Sequence, residues 1–167
     1  MKPNILFWSV SSEKKISCNI NDLWEVISSP SNLELFHPFC RKNKIIKWSK
    51  DKSIDQIEYL NGSIFQREFF EWDDFRGYKL HINQIGGLKS RVEWKIESID
   101  TMSKINISVS PYLFNSRNKY LNFLPYHFIT SPFLRSYLES VTSGLKYYLE
   151  QGKVVSKNQY GKHIWFS

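Results

Sequence analysis

The stretch SPFLRSYLESVTSGLKYYLEQ, residues 131–151, decides the architecture, because its spacing predicts one long amphipathic helix. Leu134, Tyr137, Leu138, Val141, Leu145, Tyr148 and Leu149 recur at three- and four-residue steps and so share a face. Arg135, Glu139, Ser143, Lys146 and Glu150 take the other. Ser131 is placed to cap the free amides, and Pro132 sits where a missing N–H costs nothing. Gly152 suits the left-handed residue that closes a helix. Burying the apolar stripe offsets only part of the entropy lost in fixing about twenty backbones. The helix therefore needs a broad apolar partner.

Strands upstream supply it. Glu13 to Ile20 alternates, with Ile16, Cys18 and Ile20 on one face, and reads as a first strand. Asn21 then caps a short helix, Asp22 to Ser28, which Pro30 stops. Ser31-Asn32-Leu33-Glu34 has the capping-box pattern for a second short helix ending near Phe36. Arg41 to Lys52 reads as a basic, solvated strand with Ile45, Ile46 and Trp48 turned inward.

Residues 54–110 read as an antiparallel meander. Asn61-Gly62 as a two-residue turn places Tyr59 opposite Ile64 and Ile57 opposite Gln66. A five-residue connection, Asp73 to Gly77, puts Trp72 opposite Tyr78, Phe70 opposite Leu80 and Glu68 opposite Ile82. Gly86-Gly87-Leu88 as a loop pairs Ile82 with Val92 and Leu80 with Trp94. A four-residue loop, Ile99 to Met102, pairs Ile96 with Ile105 and Trp94 with Ile107. One face then collects Ile57, Tyr59, Ile64, Phe70, Trp72, Tyr78, Leu80, Ile82, Val92, Trp94, Ile96, Ile105, Ile107 and Val109. A four-residue loop after Trp72 would instead turn Glu58, Phe65, Arg67 and Phe69 inward. The class that follows is α+β: a curved antiparallel sheet of about six or seven strands wrapped around the carboxy-terminal helix, with two short helices after the first strand.

At 167 residues the chain suits a single domain, with a core over residues 10–152 and a tail over 153–167. The segment that joins the meander to the long helix, residues 111–130, holds ten large apolar side chains, too many for a solvated loop, and reads as a lid or a packed connection. No stretch approaches the ~20 apolar residues of a membrane span. Ile5 to Val10 is short for a signal core, and two cysteines do not make a disulfide framework, so a cytoplasmic protein is expected.

The net charge of +7 is uneven: residues 111–167 carry seven Lys/Arg against two Asp/Glu. Such a surface could meet an anionic membrane peripherally. A nucleic-acid partner is disfavoured, because the chain lacks alanine and is rich in Ile, Lys and Asn, a coding bias that raises lysine without any partner.

Ile20-Asn21-Asp22-Leu23-Trp24-Glu25-Val26-Ile27, the break at Pro30 and Leu35-Phe36-His37-Pro38-Phe39 make up one recognisable block. Tyr59-Leu60-Asn61-Gly62, the Gly77-Tyr78 strand opening and the helix ending Gly144-Leu145-Lys146-Tyr147-Tyr148-Leu149 agree with it. Through these the chain resembles the START-like superfamily, whose helix-grip proteins include polyketide cyclase/dehydrase-like and lipid-transfer members. The resemblance implies a cavity between sheet and helix that holds a hydrophobic small molecule such as a lipid, isoprenoid or polyketide. On that expectation His37, Tyr59, Gln66, Glu68, Phe70 and Leu80 contribute to the ligand site, with Trp94, Ile107, Tyr112, Tyr137 and Val141.

Little catalytic chemistry is written into the residues. His37, His81, His127 and His163 are scattered, so no metal site or cofactor is implied. There is no nucleophile elbow, and Gly86-Gly87-Leu88-Lys89-Ser90 is a turn and not a phosphate loop. Glu68, on the apolar face in the favoured register, is the candidate acid/base for a cyclase- or dehydratase-type reaction. With no convergent partner for it, a non-catalytic binder is favoured over an enzyme.

Overall fold

The computed structural model describes residues 6–115 and 118–167. Ile5, which heads the apolar Ile5–Val10 stretch, and Ser116-Arg117 within the connecting segment lie outside the described residues. Strand β1 (Val10–Ile16) leads through helices α1 (Ile20–Ser28) and α2 (Leu33–Phe36) to β2 (Cys40–Lys47). A meander follows: β3 (Ile54–Tyr59), β4 (Ile64–Asp73), β5 (Gly77–Gln84), β6 (Ser90–Ile99) and β7 (Met102–Ser110). Helix α3 (Lys119–Pro125), a π-helical turn (Tyr126–Thr130) and α4 (Ser131–Gln151) complete the chain's regular structure. The strands form one antiparallel sheet in the order β1-β7-β6-β5-β4-β3-β2. This is an α+β fold, a curved sheet closed on its apolar face by one long helix.

Helix α4 buries Leu134, Leu138, Val141 and Leu145 against that face, and Gly152 ends it with φ 63°. It does not begin at Ser131, however. Thr130 and Ser131 both have helical backbones, so α3, the π-turn and α4 run on as one rod of 33 residues, and the expected Ser131 cap is absent. Asn118 caps the rod instead, accepting from the amides of Tyr120 and Leu121 at 3.0 and 3.1 Å. Pro125 and Pro132 each remove a helical hydrogen bond, which is why the turn between them widens. Where α4 passes α2, a side chain at Gly144 would bring its Cβ within 2.1 Å of the Phe36 carbonyl oxygen.

Several local expectations are corrected. The first strand starts three residues earlier and ends four residues earlier than its alternation suggested, because Val10, Ser12 and Ile16 turn inward while Ile20 already belongs to α1. Asn19, not Asn21, caps α1 by accepting from the Asp22 amide at 2.9 Å. The Ser31/Glu34 capping box does not form: Glu34 accepts from the Asn43 amide on β2 at 2.7 Å. On β2 it is Asn43 that is buried, and Ile46 is half exposed.

Register decides the rest. The β6–β7 hairpin has the expected pairs, Ile96 with Ile105 and Trp94 with Ile107. The β5–β6 pairing is displaced by two residues, Leu80 facing Val92 and Tyr78 facing Trp94, and an even slip keeps each residue on its face. The β3–β4 turn is one residue longer than expected: Tyr59 pairs with Ser63 around Leu60-Asn61-Gly62, with Gly62 at φ 85°. That odd slip reverses β4, placing Ile57 opposite Phe65 and Asp55 opposite Arg67. Phe65, Arg67 and Phe69 therefore point inward, and Ile64, Gln66, Glu68 and Phe70 point out. A bulge at Phe70 then resets the alternation, so that Trp72 still pairs with Tyr78 as expected and packs on the inner side.

Arg67 is buried as an ion pair. Its Nε and Nη2 donate to the two carboxylate oxygens of Asp55 at 2.8 and 2.5 Å, and Asn43 Nδ2 adds a third bond at 3.0 Å. Burial opposes the guanidinium's charge, and the Asp55 carboxylate outweighs it, so the pKa of Arg67 rises further. Breaking a buried pair from one side leaves a lone charge in an apolar interior. Asp55→Ala is expected to lose about 3–5 kcal/mol in urea unfolding. The double exchange Asp55→Leu with Arg67→Met is expected to recover most of that loss.

Candidate functional site

Between the sheet and α4 the side chains leave a cavity of about 310 Å³. Leu33, Ile57, Trp94 and Ile107, all buried, form its closed part. Gln84 and Leu113, both exposed, mark its opening between the β5–β6 loop and the segment after β7. The wall is almost wholly apolar, as a site for a small hydrophobic molecule must be.

The structure brings His37, Tyr59, Leu80, Trp94, Ile107, Tyr112, Tyr137 and Val141 together on this wall. Gln66, Glu68 and Phe70 stand on the opposite side of the sheet, because the longer β3–β4 turn reverses that part of β4. Glu68 pairs with Lys89 and accepts from Gln66 Nε2 at 3.0 Å, and these hydrogen bonds hold its carboxyl below the usual range. It faces no chamber. Phe70 stacks on His81 at 4.5 Å on the same outer surface.

Residues that sequence reasoning did not assign to the wall take the vacated places. Phe65 and Arg67 replace Gln66 and Glu68, and the alternation in the alternative register was the only sequence signal for them. Trp165 and Phe166 arrive from the chain end, where Phe166 stacks on Tyr59 at 4.3 Å and on His163 at 5.2 Å. Thr130, from the π-turn, lines the wall with a buried hydroxyl that has no hydrogen-bond partner among the described residues.

One polar chain enters this apolar space. The Phe39 amide donates to His37 Nδ1 at 3.2 Å, so His37 carries its proton on Nε2. Nε2 lies 2.8 Å from the Tyr137 hydroxyl, which lies 3.0 Å from the Tyr59 hydroxyl. Burial, with the nearby Arg67 charge, lowers the His37 pKa to about 3. Burial raises both tyrosines. At neutral pH the whole chain is uncharged. Among the described residues no Asp or Glu lines the cavity, and no three His, Cys, Asp or Glu side chains converge as a metal would need.

A sheet gripping one long helix around an apolar chamber is the helix-grip fold. Solved structures confirm it. The chain is similar to DynU16, a protein of the dynemicin biosynthetic locus, at 14% identity and a TM-score of 0.67, over 87% of this chain and 48% of that one. It is similar to TTHA0849 from Thermus thermophilus, at 9% identity and a TM-score of 0.65, over 85% of this chain and 97% of that one. It is also similar to the norcoclaurine synthase of Thalictrum flavum, at 12% identity and a TM-score of 0.59, over 89% of this chain and 97% of that one. The chain thus spans about half the length of DynU16. No protein-family model matches it, and no curated protein matches it significantly in sequence. Likeness at these identities establishes the fold alone.

His37 makes stability depend on pH. The folded chain binds its proton only near pH 3, whereas the unfolded chain binds it near the ordinary 6.5. Its contribution is therefore complete above that window and is lost as pH falls through it. At pH 5 wild type should have lost ~2 kcal/mol relative to neutral pH through this group. His81 and His163, also held low by burial, act in the same direction. The quantity to measure is thus the difference in urea unfolding between wild type and His37→Gln, whose amide can still donate to Tyr137; the variant should show a shallower acid dependence.

Proposed function

We propose that the protein binds a hydrophobic small molecule, of lipid, isoprenoid or polyketide-like type, in the cavity between the sheet and α4. The observation that supports this most directly is the apolar chamber itself, since an ordinary core is filled to crystal-like density. Acid–base catalysis has no equivalent support. Asp55 is occupied by Arg67 and Asn43, the His37 lone pair is taken by the Phe39 amide, and Glu68 lies outside. A cyclase- or dehydratase-type reaction would need an acceptor of protons facing the ligand, and none of these groups provides one.

Native mass spectrometry of gently purified protein should reveal a co-purifying apolar molecule. If the chamber is emptied during purification, the environment-sensitive dye phenylnaphthylamine should fluoresce on binding to it. Absence of both signals would overturn the reading.

A second surface favours peripheral contact with an anionic membrane, through which such a ligand could be exchanged. On α3 and the π-turn Tyr120 is 91% exposed, and Leu121 and Phe128 are each 75% exposed. Leu124, Phe123 and Ile129 extend the patch. Residues 111–138 contain Arg117, Lys119 and Arg135 and no acidic residue. Exposed apolar side chains in a segment whose only formal charges are cationic suit the interface of an anionic bilayer. In flotation assays the protein should bind phosphatidylcholine vesicles containing phosphatidylserine more strongly than vesicles without it. Leu121→Asp with Phe128→Asp should abolish that binding and leave dye uptake intact; unaltered flotation of this variant would remove the patch from consideration.

A further inference from the structure

Three hydrogen-bonding groups form the polar chain in the cavity, and their protons do not balance. Neutral His37 carries one on Nε2, and the Tyr137 and Tyr59 hydroxyls carry one each. The chain contains only two internal bonds, His37 to Tyr137 and Tyr137 to Tyr59. Whichever way the Tyr137–Tyr59 bond is oriented, one hydroxyl proton is left over. Among the described residues no acceptor is available to it, and both hydroxyl-bearing side chains line the cavity.

Arg67 also lines the cavity but is already partnered. Asp55 on β3 takes its Nε and Nη2, and the guanidinium lies 5.4 Å from the Phe69 ring centroid. An unmet donor in an apolar interior, as the surplus hydroxyl is, costs free energy that an entering acceptor recovers.

Charge then separates one kind of acceptor from another. Asp55 balances Arg67, the one formally charged residue on the wall, and His37 and the tyrosines are neutral, so the cavity wall carries no net charge. A carboxylate entering the cavity would be a buried anion with no cation of its own. A carbonyl oxygen has two lone pairs, no proton to place and no charge to compensate.

We infer that the ligand is an uncharged apolar molecule bearing a carbonyl oxygen, a ketone or ester, which accepts a hydrogen bond through the surplus proton of the Tyr59/Tyr137 hydroxyl pair. This rests on the proposal that the cavity binds a hydrophobic molecule and specifies which class it selects.

The test is displacement of phenylnaphthylamine from the whole protein at neutral pH by three probes of equal carbon number: undecane, methyl nonyl ketone and undecanoate. The ketone should bind about tenfold more tightly than either of the others, the worth of a good hydrogen bond in a site built for it. In Tyr59→Phe with Tyr137→Phe, which removes both hydroxyls and keeps the rings, the ketone should lose that advantage while undecane binds as before. Equal affinity of ketone and alkane in wild type would overturn the inference and leave hydrophobic binding standing. Tightest binding of undecanoate would also overturn it, in favour of an anion site. Binding of none of the three would overturn both readings together. The wild-type series decides the matter even if the double variant does not fold.

Discussion

Asp55 and Arg67 face each other across β3 and β4 beneath an apolar chamber, and a charge pair placed there dictates how the surrounding strands must lie. In the observed register the two charges meet and Asn43 satisfies a further lone pair. One residue of slip would turn Arg67 toward water, leave Asp55 alone inside and carry Gln66 and Glu68 into the core. Uncompensated burial of that kind costs several kcal/mol, far more than any difference between a two- and a three-residue turn. The role of the pair is therefore to exclude the alternative pairing, whatever its net contribution to stability.

The chamber depends on the same choice. With β4 in this register the inner surface carries Phe65, Arg67 and Phe69, and the bulge at Phe70 returns Trp72 to the Trp24–Trp48–Tyr78 cluster. Helix α4 faces them with Leu134, Tyr137, Leu138 and Val141, and it is tied to β1 by the buried contact between Ser12 and Thr142 at 2.9 Å. The space left between these surfaces is greasy except for the His37–Tyr137–Tyr59 chain, Arg67 and a few hydroxyl and amide groups, Thr130 among them. A chamber of this kind orients a guest by a few donors while apolar area supplies most of the affinity.

The rod's amino-terminal third behaves differently. Prolines at 125 and 132 widen the helix into a π-turn, Trp8 stacks on Tyr126 at 4.8 Å, and Asn115 secures the amides of Phe7 and Trp8. That leaves Tyr126 and Thr130 buried while their neighbours Leu124, Phe128 and Ile129 stay in solvent.

Much of this was legible in the chain. The α4 stripe, the Gly152 stop, the β6–β7 pairing and the inward set from Tyr78 to Val109 all follow from periodicity, a local property. So did the antiparallel meander and its wrapping of one helix. The polar groups of the chamber were not legible. An Asn-Gly pair is compatible with turns of two or three residues, and the parity of that one loop decides whether Glu68 or Arg67 looks inward. Only the meeting of Arg67 with Asp55 and Asn43, contributed by three neighbouring strands, settles it. The His37–Tyr137–Tyr59 chain likewise joins residues up to a hundred positions apart. Periodicity determines which faces are buried; three-dimensional pairing determines which polar groups are buried with them, because their cost depends on partners that no local stretch contains.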